Sequence, residues 1–158
     1  MITIRRATAE DIPQMVDIGE NFFSESNFLD GLTIDQEQGA YTFGYMIAAE
    51  DQEVLVAVEE DKLIGFIIFD VTRYYTKELI SHLFLFYVLP AWRGTRVGLD
   101  LLQKAEAIAT ERGAKRIYCS STAGFSDDGK MDQKLLDFYK RCGYAELGCF
   151  VMKGLGNV

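Results

Sequence analysis

The sequence predicts a mixed α/β (α+β) fold, in which a mostly antiparallel central sheet is flanked by helices on both faces. Three observations predict it: two apolar strands joined by a short charged turn, a pair of helices before them, and a strand, loop and helix after them. Because each face of a sheet must be covered by another element, this order indicates helices on both sides. At 158 residues the chain is expected to form a single domain over residues 1–158.

The N-terminal segment predicts one strand followed by one helix. Residues 2–5 alternate as a strand does, and a capping sequence at residues 8–11 is followed by Pro13, which is tolerated only near the start of a helix. We therefore expect a helix that begins near residue 10. Residues 21–32 are less regular.

A second helix is predicted by the capping box at residues 33–36, and it is expected to run to about Ala49. Tyr41, Phe43 and Tyr45 lie on it. Such an aromatic set suits either core packing or the wall of a substrate pocket. Both interpretations remain open from the sequence.

The next segment reads as a β-hairpin. Residues 54–58 and 63–69 are continuous apolar runs, which are typical of buried strands, and the charged residues 59–62 form the turn between them. Residues 72–78 are polar and lead into the following strand. The hairpin therefore supplies two strands of the predicted sheet.

The central stretch predicts a strand, a glycine-bearing loop and a helix. Residues 83–89 are apolar and aromatic throughout, which suits a strand buried on both faces, and Pro90 ends it. Gly113 closes the helix and residues 115–119 form the next strand. The apolar face of the helix, spaced by three and four, consists of Leu101, Leu102, Ala105, Ile108 and Ala109.

The C-terminal part predicts a loop, a helix and a last strand. Residues 120–132 are rich in serine, aspartate and glycine, as loops are. A helix is expected from about Met131, with Gly143 just after its end. Residues 147–152 are expected to form the final strand.

The net charge of the chain indicates which classes of binding partner to expect. The formal net charge is −8, so a nucleic acid is not an expected partner, because phosphate backbones bind basic surfaces. A cationic substrate would be attracted by this field, although an acidic surface also serves solubility alone.

Cysteine spacing and hydropathy point to a soluble cytoplasmic protein. Cys119, Cys142 and Cys149 are odd in number and show no C-x-x-C spacing, so neither a zinc site nor a disulfide framework is expected. No apolar run reaches the roughly 20 residues of a membrane span. The N-terminus has no apolar signal-peptide core. We therefore expect no metal and no membrane association.

The loop after the central strand contains Arg93, Gly94, Arg96 and Gly98. The first N–H groups of a helix have no internal partner and lie at the positive end of its dipole, so such a loop can bind a phosphate. A strand-to-helix turn with solvated arginines is the alternative. Neither G-x-G-x-x-G nor G-K-S/T is present, so the common nucleotide fingerprints do not apply.

Two segments carry a family resemblance. Residues 88–98, V-L-P-A-W-R-G-T-R-V-G, resemble the acyl-CoA-binding motif of the GNAT superfamily of N-acetyltransferases, which reads V-x-P and then Q/R-x-x-G-x-G/A. Residues 138–144, F-Y-K-R-C-G-Y, are similar to the second motif of that family. Arg96 departs from the pattern, since it stands where the family has its first glycine. Either Arg96 keeps a helical backbone and its side chain points away, toward the phosphates of the cosubstrate, or the affinity for the cosubstrate is reduced.

The resemblance implies acetyl-CoA as cosubstrate and a primary amine, on a small molecule or a peptide, as acceptor. In the family, the central strand offers backbone N–H groups to the acetyl carbonyl and the pantetheine arm, and the loop holds the pyrophosphate. A homodimer is also compatible with the family. The positions that the resemblance assigns to the cosubstrate are Phe86, Tyr87, Val88, Arg93, Gly94, Thr95, Arg96, Val97, Gly98 and Leu99.

Two residues are the expected catalytic groups. Tyr139 matches the tyrosine with which many family members protonate the departing thiolate, and a phenol with a reference pKa of about 10 keeps its proton for that step. His82, the only histidine, lies where some members place a glutamate base, although a buried histidine that only satisfies a hydrogen bond is the more common case. Glu78, Asp70 and Tyr87 are other candidates for the base.

Two functions from different classes follow. The first is an N-acetyltransferase that transfers the acetyl group directly to an amine, without a covalent enzyme intermediate. The second is a catalytically inactive CoA-binding domain of the same fold with a regulatory or interaction role. Tyr139 favours the first, and Arg96 at the glycine position favours the second.

Overall fold

The computed structural model describes residues 1–26, 32–120 and 130–148, which belong to two compact units. The first unit comprises residues 1–19 and 35–119, and contains the whole sheet. The second unit comprises the described residues of 20–34 and 120–158. The expectation of a single domain remains a prediction.

A five-stranded mixed sheet forms the first unit. Every neighbouring pair of strands is antiparallel except β4 and β5, which are parallel. The strands, in their spatial order, are β1 (Ile2–Arg6), β2 (Gln52–Glu59), β3 (Lys62–Asp70), β4 (Leu79–Val88) and β5 (Ala114–Cys119). The predicted mostly antiparallel sheet is therefore confirmed.

The hairpin of β2 and β3 turns through Glu60 and Asp61, whose φ angles are 47° and 64°. Two successive residues with positive φ make a turn whose twist matches that of the strands. At Gly65 on β3, an added Cβ would lie 2.7 Å from the carbonyl oxygen of Tyr87. Glycine is therefore required where β3 approaches β4 most closely.

The described residues contain four α-helices, with a short 3₁₀ turn before the first (Ala9–Asp11) and another before the third (Pro90–Trp92). Thr8 and Asp11 cap the first as predicted, since the Thr8 N–H donates to the Asp11 carboxylate at 2.7 Å. The helices are α1 (Ile12–Glu25), α2 (Gln36–Ala48), α3 (Val97–Glu111) and α4 (Lys130–Arg141).

The helices α2 and α3 cover opposite faces of the sheet. Phe43 of α2 packs edge-on against Phe66 of β3, and Phe66 lies beside Tyr87 of β4. A Cβ at Gly98 of α3 would lie 3.5 Å from the ring of Phe86. Because neighbouring residues of a strand point to opposite faces, the Tyr87 face belongs to α2 and the Phe86 face to α3. Helices on both faces are thus confirmed.

Two arginines of β1 anchor it to buried acids. The Arg5 guanidinium donates to both oxygens of Asp11 at 2.7 and 2.8 Å. Arg6 donates to both oxygens of Glu53 at 2.8 and 2.9 Å, and Arg112, at the end of α3, donates to Glu53 at 3.2 Å. Glu53 therefore joins β1, β2 and the end of α3.

Three sequence predictions about these elements are wrong in detail. Residues 21–25 are helical, because Phe22 continues the apolar spacing of Met15 and Ile18 on α1. The cap of α2 is Asp35, whose carboxylate accepts from the N–H of Gln38 at 2.9 Å, rather than Thr33. The strand β4 is not buried on both faces, since Phe84 is 47% exposed, and an apolar run alone does not show which face is covered.

The C-terminal predictions are tested only in part. Helix α4 begins at Lys130, and Gly143 follows its end with a φ of 91°, as expected of a C′ glycine. Residues 121–129 of the predicted loop lie outside the described residues. Of the predicted last strand, residues 147–148 have no regular structure, and residues 149–152 lie outside the described part.

Candidate functional site

The loop between β4 and α3 forms the first part of the candidate site. It leaves β4 through the 3₁₀ turn Pro90–Trp92, and Gly94 follows with a φ of 79°, a conformation that favours glycine. Arg96 has helical backbone angles of −72° and −13° and is the N-cap of α3. The loop therefore leads directly into the first turn of a long helix.

Several N–H groups of this loop are available to a ligand. The N–H of Val97 donates to the Thr95 hydroxyl at 3.3 Å, and the N–H of Asp100 donates to the Arg96 carbonyl at 2.9 Å. Within the described chain, the structure gives no acceptor to the N–H groups of Gly94, Arg96, Gly98 and Leu99. Such donors at the positive end of a helix suit a phosphate, so the residues present fit the diphosphate of CoA.

Arg93, one of the two arginines predicted to bind the cosubstrate, braces the loop, and its binding role remains a prediction. Arg93 Nε donates to the Val88 carbonyl at 2.9 Å, and its guanidinium carbon lies 5.1 Å from the centre of the Tyr87 ring. A cation over an aromatic face is attracted to it. Arg93 thus holds the loop against the end of β4, which positions the N–H groups that follow.

Arg96, which replaces the family's first glycine, keeps a helical backbone and turns its side chain toward solvent. Its guanidinium lies 3.2 Å from a carboxylate oxygen of Asp100, one turn further along α3, and its side chain is 80% exposed. An exposed pair of this kind holds its partners weakly. The first alternative from the sequence, a side chain that points away from the N–H groups, is therefore the one observed.

The end of β4 forms the second part of the site. The pairing of β4 with β5 ends at Leu83 and Cys119, whereas β4 itself continues to Val88. On the opposite side, Phe86, Tyr87 and Val88 pair with β3. The three backbone positions predicted for the acetyl carbonyl therefore lie beyond the end of β5 and next to the loop.

A cluster around His82 forms the third part, at the other end of the β3 and β4 pairing. The carboxylate of Asp70, which is 4% exposed, accepts from the His82 N–H and from the Tyr74 hydroxyl, both at 2.7 Å. The His82 ring lies edge-on to Tyr74 at 4.7 Å and stacks on Tyr118 at 5.3 Å. Its Nδ1 atom lies 3.8 Å from the Asp70 carboxylate.

Asp70 also affects the acidity of Tyr74. The hydrogen bond to the carboxylate, together with burial, raises the pKa of Tyr74 to about 12. The phenol therefore remains a hydrogen-bond donor throughout the neutral range. The sequence names Asp70 only as a possible base and does not point to Tyr74. The strand register, which places residues 70 and 82 side by side, is the signal that could have found this cluster.

Tyr139, the other predicted catalytic residue, lies in the second unit. It is a buried residue of α4, 2% exposed, and its ring lies 5.3 Å from that of Tyr144. The N–H of Tyr144 donates to the Tyr139 carbonyl at 3.0 Å, which closes the end of the helix. The catalytic role of Tyr139 remains a prediction.

Of the aromatic residues of α2, only Phe43 fits the interpretation as core packing. Phe43 is 7% exposed and belongs to the core, whereas Tyr41 and Tyr45 are 71% and 63% exposed.

Among the described residues, no cluster of three or more His, Cys, Asp or Glu side chains could hold a metal ion. No described helix is long and apolar enough to cross a membrane.

Residues 20–144 match the family model described as the acetyltransferase (GNAT) family. This chain therefore belongs to the GNAT acetyltransferase family, as its two motifs indicated. The match includes the β4 to α3 loop, His82 and Tyr139. No curated protein matches the chain significantly.

Solved structures with the same fold cover nearly the whole chain. An aminoglycoside acetyltransferase from an uncultured soil metagenomic sample, in complex with sisomicin, is 22% identical, with 98% of this chain and 97% of that one covered and a TM-score of 0.71. A transcriptional regulator from Bacillus halodurans C-125 is 22% identical, with coverages of 98% and 100% and a TM-score of 0.75. The aminoglycoside N-acetyltransferase AAC(6')-Iy, in complex with CoA, is 14% identical, with coverages of 98% and 95% and a TM-score of 0.77. These identities show a shared fold.

Proposed function

We propose that this chain is an N-acetyltransferase that moves the acetyl group of acetyl-CoA directly to a primary amine. One observation carries the proposal: N–H donors at the start of α3 lie next to the part of β4 that extends beyond β5. If the diphosphate binds to the N–H donors of α3 and the thioester lies beside the end of β4, an extended cosubstrate would lie along this edge of the sheet.

In this proposal the backbone of the chain holds the cosubstrate. The N–H groups of residues 94–99 bind the diphosphate, and those of Phe86 and Val88, on the side of β4 away from β3, face the pantetheine arm and the acetyl carbonyl. The N–H of Tyr87, between them, points to β3, as does that of Leu89, which donates to the Ile64 carbonyl at 2.9 Å. Bound acetyl-CoA supplies an activated acyl thioester. Arg93 contributes by bracing the loop through the Val88 carbonyl, so that the donors are positioned before binding.

Two side chains handle protons. His82 accepts a proton from the acceptor's ammonium group, which frees the lone pair that attacks the acetyl carbon. Tyr139 donates its phenolic proton to the departing sulfur. The first role requires a neutral imidazole and the second a protonated phenol.

The acceptor is proposed to be a cationic small molecule. Two of the structures with this fold belong to aminoglycoside acetyltransferases, one of them in complex with sisomicin. The net charge of −8 would attract a polycation. Peptide amines remain the other acceptor class. We also propose a cytoplasmic location and no nucleic-acid partner.

The alternative, a CoA-binding domain without catalysis, rested on Arg96 at the glycine position. That residue has a helical backbone and a solvent-facing side chain, which supports cosubstrate binding despite the missing glycine. The enzymatic proposal is therefore the better supported of the two.

The first experiment is thermal unfolding with and without acetyl-CoA. A ligand at 100 times its dissociation constant adds about 2.7 kcal/mol to the free energy of unfolding. We expect a clear rise in Tm, and then thiol release from acetyl-CoA when polyamines, aminoglycosides or peptides are added. Millimolar acetyl-CoA without any effect on Tm would contradict the cosubstrate site. Binding without turnover on any amine would favour the inactive domain.

The second experiment replaces Tyr139 by Phe. We expect turnover to fall by about a hundredfold or more, as for the loss of a general acid, while the acetyl-CoA-induced rise in Tm is retained. A variant with the turnover of the original protein would remove Tyr139 from the mechanism. Tyr75→Phe is the matched control, because Tyr75 is fully exposed.

A further inference from the structure

We propose that Asp70, assisted by Tyr74, is a positioning residue that holds His82 with a proton on Nδ1 and the lone pair on Nε2. This inference rests on the proposed acetyl transfer, and it identifies the atom that accepts the proton of the acceptor amine. It assigns Asp70 a role other than that of the base itself.

The geometry around Nδ1 carries the argument. Nδ1 is closed off from solvent and makes no hydrogen bond within the described chain, although the His82 side chain as a whole is 35% exposed. The nearest charged group to it is the Asp70 carboxylate, with the two atoms 3.8 Å apart. A lone pair on Nδ1 would face the negative charge of that carboxylate, whereas an N–H on Nδ1 is attracted to it.

The carboxylate is itself held in place from two sides. One oxygen of Asp70 accepts from the backbone N–H of His82 and the other accepts from the Tyr74 hydroxyl. Both of these bonds measure 2.7 Å, which is at the short end of the range for an N–H donor and the usual length for an O–H donor. The carboxylate therefore cannot turn away from the imidazole without losing a bond.

The ring of His82 is fixed as well. Tyr118 stacks on one side of it at 5.3 Å and Tyr74 meets it edge-on at 4.7 Å. With Nδ1 enclosed and protonated, Nε2 is the nitrogen on the edge of the ring that retains exposure. A base whose second nitrogen is oriented by a carboxylate is a recurring arrangement for proton acceptors in enzymes.

The proton balance is simple. The acceptor's ammonium group gives one proton to Nε2, and the freed lone pair on nitrogen forms the new bond to the acetyl carbon of the acyl thioester. The bond between that carbon and sulfur breaks, and the departing thiolate takes the phenolic proton of Tyr139 and leaves as the thiol. The nitrogen loses its second proton as the amide forms, and this proton restores the phenol of Tyr139. The imidazole becomes an imidazolium whose Nδ1–H points to the Asp70 carboxylate, and this charge pair stabilises it. Nε2 then returns the proton to solvent.

The decisive experiment is an imidazole ¹⁵N–¹H correlation spectrum of the whole protein. The chain contains one histidine, so every imidazole signal belongs to His82. In the neutral imidazole we expect the proton on Nδ1 and an unprotonated Nε2. A spectrum in which Nε2 carries the proton, or in which the two forms are equally populated, overturns the proposal.

Substitutions extend the test. In Asp70→Asn we expect the preference for Nδ1–H to be lost and kcat/KM for acetyl transfer to fall by about tenfold or more, with the acetyl-CoA-induced rise in Tm retained. Glu53→Gln is the matched control for the loss of a buried carboxylate, since Glu53 is 8% exposed and bonded to Arg6 and Arg112. It should leave both the tautomer and kcat/KM unchanged. An Asp70→Asn protein with the original tautomer and kcat/KM overturns the proposal.

Tyr74→Phe covers the case in which Asp70→Asn does not fold. It removes the hydroxyl that holds the carboxylate but keeps the ring, so we expect a smaller change of tautomer in the same direction, and Tyr75→Phe should show none. An unchanged spectrum in Tyr74→Phe overturns the assisting role of Tyr74. If Nδ1–H is found but no amine is acetylated, the positioning of His82 stands and the proposed function fails. If amines are acetylated while Nε2 carries the proton, the proposed function stands and the positioning of His82 by Asp70 fails.

Discussion

A matched pair of glycine substitutions tests the packing of the sheet that positions the site. At Gly65, an added Cβ would lie 2.7 Å from the carbonyl oxygen of Tyr87 and 3.2 Å from the Cα of Val88. Both neighbours are backbone atoms of β4, so neither can move as a flexible side chain would. At Gly44 on α2, the same Cβ would lie 3.6 Å from the Cδ1 of Ile12, which is an ordinary contact.

The two substitutions should therefore act in opposite directions. Gly65→Ala should lower the free energy of unfolding by about 1–3 kcal/mol, which is the usual cost of overpacking a core. Gly44→Ala should raise it by about 0.8–1.0 kcal/mol, because alanine has the higher helix propensity and the site has room. For a chain of this size, each kcal/mol corresponds to about 2–4 °C in Tm.

The assay is urea unfolding of both variants beside the original protein, with acetyl-CoA binding followed by the rise in Tm. Gly65→Ala should also weaken acetyl-CoA binding, because Gly65 pairs with Val88, from which the loop departs. A Gly65→Ala protein that is as stable as the original would refute the inference that β3 and β4 require glycine here. If Gly44→Ala is less stable than the original protein, the inference that a Cβ fits beside Ile12 at this position of α2 is wrong.

Three further predictions concern stability. Glu53→Gln should lower the free energy of unfolding, measured in urea, by about 1–3 kcal/mol, because it weakens the charged hydrogen bonds from Arg6 and Arg112. A change below about 0.5 kcal/mol would contradict a stabilising role for these bonds. Ser81→Ala should raise Tm, because the Ser81 hydroxyl is buried without a hydrogen-bond partner in the described chain, and a lower Tm would count against this. The hydrogen bonds from Arg5 hold the pKa of Asp11 below its usual 3.8. Their contribution to the free energy of unfolding should therefore be complete above about pH 4, and it should disappear as the pH falls through the lowered pKa. Asp11→Asn should flatten that acid limb of the stability curve, and an unchanged limb would contradict the assignment.

The sequence predicted the candidate site unevenly. The loop was predicted well, because a glycine-bearing turn and the start of a helix are local properties: Gly94 has a positive φ within the loop, and α3 begins at Val97, directly after it. The use of Arg93 was not predicted. Its side chain bonds to the Val88 carbonyl, and this contact depends on how the loop folds back onto β4.

The cluster around His82 shows why the rest of the site was not predictable. Asp70 and His82 are twelve positions apart and meet only because β3 and β4 pair in one register, with a bulge beside Phe69. A shift of the register by one residue would turn Asp70 to the opposite face. Tyr74 lies in a polar connection that carries no periodic signal.

The sequence by itself determined the hairpin, the cap that precedes the first helix and the extents of most helices and strands, because strand alternation, helical spacing and turn residues depend on residues a few positions apart. It also determined the family, through two motifs that are contiguous in the chain. The tertiary structure alone decided that Phe84 is exposed, that Gly65 touches the backbone of β4, and that Asp70 faces His82. These features depend on strand register and on the packing of helices against the sheet, which join residues that are distant along the chain.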